Sequence, residues 1–194
     1  MKEFHVSLNE RLWAPWRLPY IQNSDDHDPE TTHEFEIAPG GDPECFLCQA
    51  AVDHSEEADR IRYTVERTEN TVVVLNRFPY NNGHLLIAPR RHLGRLDAIA
   101  PETHAALTAQ ITRWSGILEK VMTPEGFNIG LNLGHAAGAG LPGHLHWHIV
   151  PRWNGDTNFM PALGNIKVIP QSLEALWEIL TTEAKGSTPD QLQD

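Results

Sequence analysis

The sequence predicts an α+β fold: an antiparallel sheet of about five strands with a long central helix and a C-terminal helix. Three observations lead there. Runs with strand character cluster on either side of one long helical stretch, the helical stretch repeats its apolar residues at 3.6-residue spacing, and the segments around 127–133 and 144–149 alternate with period two. Strands in runs with helices set apart fit an antiparallel sheet backed by helices, whereas a parallel sheet needs a helical crossover after each strand.

Each element follows from its residues. Ile61–Glu66 and Thr71–Leu75 flank Thr68-Glu69-Asn70, which predicts a hairpin. Gly83–Ala88 is a third strand. Pro101 and Glu102 open a helix whose apolar stripe is Leu107, Ile111, Trp114, Leu118 and Val121, and Pro124 with Gly126 marks its end. Phe127, Ile129, Leu131 and Leu133 alternate with small or polar residues and predict a fourth strand. The segment from His144 predicts a fifth, closed by Pro151, which has no N–H for a ladder. Leu173–Thr181 predicts the C-terminal helix. The chain reads as one domain in three parts: an arm over 1–59, a core over 60–160 and an extension over 161–194.

The chain has 194 residues and a formal net charge of −11, but the charge is unevenly placed. Residues 22–59 hold twelve of the 26 acidic residues and no Lys or Arg, so the remainder is near neutral. Asp25-Asp26-His27-Asp28-Pro29-Glu30 reads as a solvated loop. An anion site can therefore be locally positive, and among Arg77, Arg90, Arg91, Arg95 and Arg152 only the last sits beside the histidines described next. No apolar run is long enough to span a bilayer and no signal segment is evident, so a soluble cytoplasmic protein is expected, with neither membrane nor nucleic acid as a partner. Two cysteines make no disulfide framework. Trp13, Pro15, Trp16 and Tyr20 are too apolar for a free tail and are expected to pack on the domain or on a second subunit.

His144-Leu145-His146-Trp147-His148 constrains the chemistry most tightly. In a strand the three imidazoles would share one face, spaced by roughly 6.6 Å, with Leu145, Trp147 and Ile149 turned to a core. Three polar rings in register on an otherwise apolar strand need phosphates, metals or each other as partners.

The pattern His-apolar-His-apolar-His-apolar-apolar resembles the histidine triad (HIT) superfamily. The likeness continues in Val74–Pro89, with its Asn76 strand, turn and Gly83-His84 strand, and in Gly130-Leu131-Asn132-Leu133-Gly134. The flanking Leu12–Arg17 and Pro151–Phe159 segments are similar to bacterial members of the diadenosine tetraphosphate phosphorylase type. The resemblance implies nucleotidyl transfer in two steps. His146 would attack the α-phosphorus, since imidazole is uncharged at neutral pH yet forms a labile phosphoramidate. His148 would donate to the phosphate oxygens as charge builds. Water as acceptor makes a hydrolase, and inorganic phosphate makes a phosphorylase.

Asn76 and Asn132 match positions where family members contact ribose or phosphate, although each can equally cap a turn. In the small-residue loop Gly138, Ala139 and Gly140 could bring backbone N–H groups close to phosphate. Here the chain departs from the family, in which many hydrolases carry Gln-Ser and some phosphorylase-like members a Ser where this chain has Ala139-Gly140; His135 is the candidate to replace that contact. Cys45-x-x-Cys48 with His92 and His144 makes a Cys2His2 set suited to structural zinc, an arrangement the resemblance extends to His144 as a ligand. Alone, a Cys-x-x-Cys can also be two reduced thiols or a redox pair. His5, His27, His33, His54 and His104 are expected at the surface.

Three other classes are weighed. A cupin-type oxygenase would need a carboxylate where Arg152 stands. A non-catalytic nucleotide-binding protein is disfavoured by the complete triad. A sugar-phosphate nucleotidyltransferase of the same superfamily typically lacks the third histidine, present here as His148. A nucleoside phosphoramidate hydrolase of the superfamily stays open. The expectation is a dimeric enzyme acting on diadenosine polyphosphates or a related nucleotide, with phosphate or water as acceptor.

Overall fold

The structure, a computed structural model, describes residues 37, 40–52, 54–158, 160 and 168–187. The aromatic motif at Trp13–Tyr20, the acidic stretch at 25–30 and His5, His27 and His33 lie outside them. In chain order the elements are α1 (Phe46–Ala51), α2 (Glu56–Arg62), β1 (Thr64–Arg67), β2 (Thr71–Leu75), β3 (Leu85–Pro89), α3 (Pro101–Met122), β4 (Gly126–Leu131), β5 (Trp147–Arg152) and α4 (Leu173–Gly186). The sheet is five-stranded in the order β1-β2-β3-β5-β4, every neighbour antiparallel. Among the described residues, no helix is long and apolar enough to cross a membrane.

β2 and β3 are buried at every position, so both read as continuous apolar runs. Their odd-numbered residues Val73, Leu75, Leu85 and Ile87 meet Trp114, Ile117 and Leu118 of α3 and Leu176, Trp177 and Leu180 of α4. Their even-numbered residues Val72, Val74 and Ala88 meet α1 on the opposite face. Arg113 fastens α4 by donating from Nη2 to the carbonyls of Ala184 (2.8 Å) and Ser187 (3.0 Å), where a helix end otherwise leaves acceptors unpaired. Trp177 Nε1 donates to the Thr64 carbonyl at 2.8 Å.

Three local expectations are corrected. Ile61 and Arg62 close α2 instead of opening a strand: Ser55 caps the helix through Oγ to Ala58 N–H (3.3 Å), Glu56 and Glu57 favour its first turn, and Tyr63 turns the chain at φ 55°. Pro151 does not close the fifth strand, because it pairs with Phe127 and Arg152 pairs with Gly126. Its missing N–H faces the β3 side, where pairing has already ended at Leu85, and its carbonyl there accepts from Asn81 Nδ2 at 3.0 Å. His54 and His104 are half-buried, with Nε2 2.7 Å from the Gln49 carbonyl and 3.1 Å from that of Leu96.

Gly83 begins the turn into β3 at φ +76°, and a Cβ there would lie 2.6 Å from Met122 Sδ and 3.2 Å from Pro151 Cγ. Gly83→Ala combines a left-handed backbone with a clash, so we expect a loss of about 1–3 kcal/mol, read as a lowered thermal midpoint. An unchanged midpoint would show that Met122 yields freely.

Candidate active site and metal cluster

Two glycines let the chain build the site. The 92–95 loop runs against 142–143 so closely that a Cβ on Gly94 would sit 2.7 Å from the Pro142 carbonyl, and one on Gly143 would sit 3.0 Å from His92 Nε2. Leu145 N–H donates to the Leu93 carbonyl at 2.7 Å, which ties the approach to β5 into this loop. Here the triad departs from expectation: β5 starts at Trp147, so His144 and His146 precede the ladder, and their rings serve different sites.

His144 is fully buried and turns toward α1. Its Nε2–H donates to the Pro89 carbonyl at 2.8 Å, which leaves Nδ1 as a lone pair 3.3 Å from Cys45 Sγ and 3.5 Å from Cys48 Sγ. His92 Nδ1 lies 3.2 Å from Cys48 Sγ. The four ligand atoms of Cys45, Cys48, His92 and His144 lie within 4.8 Å of one another, so the structure brings together the set of four named from the sequence. The donor set fits zinc. Bonds of about 2.3 Å to sulfur and 2.0 Å to nitrogen at tetrahedral angles separate S from N by roughly 3.5 Å, and these three separations are 3.2–3.5 Å. Burial pushes the Cys45 thiol up to about 12 and the His144 imidazole down to about 4, so without a cation these two groups are neutral. The orienting carbonyl at Pro89 is the partner expected behind a ligating histidine.

His146 is 7% exposed, and its Nδ1–H donates to the carbonyl of His144 at 2.8 Å. Its Nε2 is therefore the lone-pair nitrogen. Burial lowers its pKa below the ordinary imidazole value, against the opposing bond to that carbonyl, and favours the neutral form a nucleophile needs. The His148 ring stands 5.0 Å from that of His146, at 63°.

The residue that sequence reasoning missed as a site member is His84, fully buried just before β3. Its Nδ1 faces two donors, the Tyr80 N–H at 3.0 Å and Asn76 Nδ2 at 3.1 Å. The amide of Asn76 is oriented by its Oδ1, which accepts from Phe78 N–H at 3.0 Å. Nδ1 must then be the acceptor, so His84 carries its hydrogen on Nε2 and donates to His148 Nδ1 at 2.9 Å. That assigns the hydrogen of neutral His148 to Nε2. The signal available in the sequence was a histidine in an otherwise apolar strand run, the same anomaly that marks the triad. Replacing His84 with Gln should lower kcat by roughly tenfold to a hundredfold with KM little changed; an unchanged kcat would leave His84 a mere core residue.

The other candidates are arranged as follows. Asn76 both caps its turn and reaches His84, while Asn132 follows β4 and is half-buried. In the small-residue loop the N–H groups of Ala137 and Ala139 donate to the Gly134 carbonyl (both 3.2 Å), and that of Gly138 to His135 (2.9 Å). These three close a tight turn rather than standing ready for phosphate; Gly140 follows them, and His135 is exposed at the turn's start. Arg152 is held in a two-bonded pair with Asp156, Nε–Oδ2 2.6 Å and Nη2–Oδ1 2.9 Å, and Nη1 donates to Asn128 Oδ1 at 2.6 Å. Its guanidinium keeps the Asp156 carboxyl well below the usual range, so this arginine braces the 153–156 turn.

A protein-family model described as HIT domain matches residues 59–155. The chain is 36% identical over 175 residues to the AP-4-A phosphorylase of Mycobacterium tuberculosis, covering 90% of this chain and 84% of that protein. It is 33% identical over 90 residues to the asymmetrical bis(5'-nucleosyl)-tetraphosphatase of Schizosaccharomyces pombe, covering 46% of this chain and 49% of that protein. Among solved structures, a Zn-bound histidine triad family protein from Mycobacterium smegmatis superposes with a TM-score of 0.53 at 27% identity, over 64% of this chain and 85% of that one.

Proposed function

The chain belongs to the HIT domain family, and from that premise we propose that it is an enzyme cleaving diadenosine polyphosphates through a nucleotidyl intermediate on His146. The observation that carries the reading is the hydrogen bond from His146 Nδ1–H to the His144 carbonyl, which leaves Nε2 as the lone-pair nitrogen of a ring that stands beside His148. In the first step His146 Nε2 forms a bond to the α-phosphorus, the bridging P–O bond breaks, and a nucleoside polyphosphate leaves with the electron pair. His148 Nε2–H donates to the phosphate oxygens as charge develops. In the second step the acceptor oxygen displaces His146 and returns the imidazole. Phosphate is the proposed acceptor, supported by the likeness to a phosphorylase over most of both chains. Asn132 and Gly140 are the proposed substrate contacts, joined by Asn76, whose amide holds His84.

Cys45, Cys48, His92 and His144 would hold zinc. When bound it supplies a structural crosslink between α1 and the two segments that converge on the site. A homodimer is proposed through the sheet edge at β4, where Ile129 is 45% exposed and Leu133, two residues past the strand, is 44% exposed. Residues 1–59 and 161–194 are proposed as an arm and an extension on a 60–160 core.

Product analysis of diadenosine tetraphosphate, with and without inorganic phosphate, tests the activity. ADP plus ATP formed only with phosphate supports the phosphorylase, and AMP plus ATP without phosphate makes the chain a hydrolase, the reading that its likeness to the tetraphosphatase favours. No cleavage under either condition refutes the substrate assignment.

A further inference from the structure

The turn between β2 and β3 places an aromatic ring where the histidine pair needs a wall. Tyr80 stacks on His84 with ring centroids 4.7 Å apart at 30°, and lies over His148 at 5.7 Å and 22°. The two imidazoles are themselves 5.1 Å apart. The same residue supplies the main-chain N–H that faces His84 Nδ1. One side chain thus covers both members of the pair, and its backbone selects which nitrogen of the first carries hydrogen.

From this geometry we infer that Tyr80 is a positioning residue for nucleotidyl transfer, holding His84 and His148 in the ring planes and tautomers that present His148 Nε2–H to the phosphate. The inference rests on the proposed transfer through His146. A hydrogen bond between two imidazoles tolerates little rotation, because a small turn of either ring takes Nε2–H off the axis of the Nδ1 lone pair. The Tyr80 N–H and the Asn76 side-chain amide restrain His84 from one edge, and the tyrosine face restrains both rings against tilting. The contacts to the two imidazoles are made by the tyrosine ring face and the main chain. Asn81 anchors the turn that carries Tyr80, donating from Nδ2 to the Pro151 carbonyl (3.0 Å) and to Asp156 Oδ2 (2.8 Å). The ring is thereby referenced to β5, the strand that bears His148.

The test uses the full chain with Tyr80→Phe and Tyr80→Leu, measuring kcat and KM on diadenosine tetraphosphate and the His148 tautomer by 15N NMR of its ring nitrogens. Tyr80→Phe should match the parent in all three. Tyr80→Leu should lower kcat at least tenfold, toward the hundredfold that small misplacements cost, with KM nearly unchanged and His148 divided between tautomers. A Phe variant as slow as the Leu variant overturns the inference by assigning the role to the hydroxyl. So does a Leu variant with parental kcat, or one whose His148 tautomer is unaltered. The parent spectrum is decisive even if the Leu variant fails to fold, because His148 found with hydrogen on Nδ1 contradicts the proposed arrangement. Absence of turnover by the parent would refute the proposed function, while the NMR comparison still decides the role of Tyr80.

Discussion

Replacing His146 with Ala is expected to lower cleavage of diadenosine tetraphosphate by roughly 10^4-fold or more, because it removes the proposed nucleophile. The His146 ring is buried, but it is small and borders His148 at the site, so the fold should survive its truncation. Brief mixing of substrate with the parent enzyme, followed by acid-free quenching and mass measurement, should find one nucleotidyl group per chain, absent in the variant. A variant that retains near-parental turnover would sink the assignment of the nucleophile. A variant that binds AMP as tightly as the parent yet turns nothing over would place the loss in the chemical step rather than in binding. Neutral His146 is kept so by burial, and its Nδ1–H is committed to the His144 carbonyl, so substituting Gln should not rescue it.

Metal removal should have the second largest effect, and it should appear in stability before activity. The cluster joins α1 to the 92–95 and 142–144 segments, while the larger apolar core lies on the other face of the sheet and does not depend on it. Cys45→Ser, or chelation of the parent, is therefore expected to cost several kcal/mol, not the whole fold. For a domain of this size that corresponds to a fall in thermal midpoint of roughly 5–15 °C. Elemental analysis should find one zinc per parent chain and none in the variant; a metal-free parent with an unshifted midpoint on chelation would overturn the site. Because binding must displace thiol protons, the metal should be lost first as pH falls.

Much of the fold was legible because its physical signals are local. The long α3 announced itself through Pro101, the stripe from Leu107 to Val121, and Pro124 beyond its end, and it spans Pro101–Met122. β2 and β3 were legible as apolar runs because both faces are covered. The misread lay where two signals competed. Ile61-Arg62-Tyr63-Thr64-Val65-Glu66 has strand composition, but the cap at Ser55 and the acids after it carry the helix through Arg62. Leu173–Thr181 was legible as helix, yet α4 runs on to Gly186, where Arg113, far away in sequence, donates to the Ala184 and Ser187 carbonyls.

The site divides along the same line. From residue type and spacing alone, the sequence marked three alternating histidines as candidates for a reactive centre, offered a Cys-x-x-Cys with two histidines as a candidate metal set, and predicted an antiparallel sheet with helices behind it. Only the tertiary structure decided what each ring does. It turned His144 away from its two companions toward the thiols, engaged Arg152 with Asp156, and brought His84 against His148 across 64 residues of chain. The reason is directional. Composition and periodicity report which groups are apolar or polar on a given face, but the role of an imidazole depends on which nitrogen bears the hydrogen, and that is set by donors and acceptors that only folding assembles.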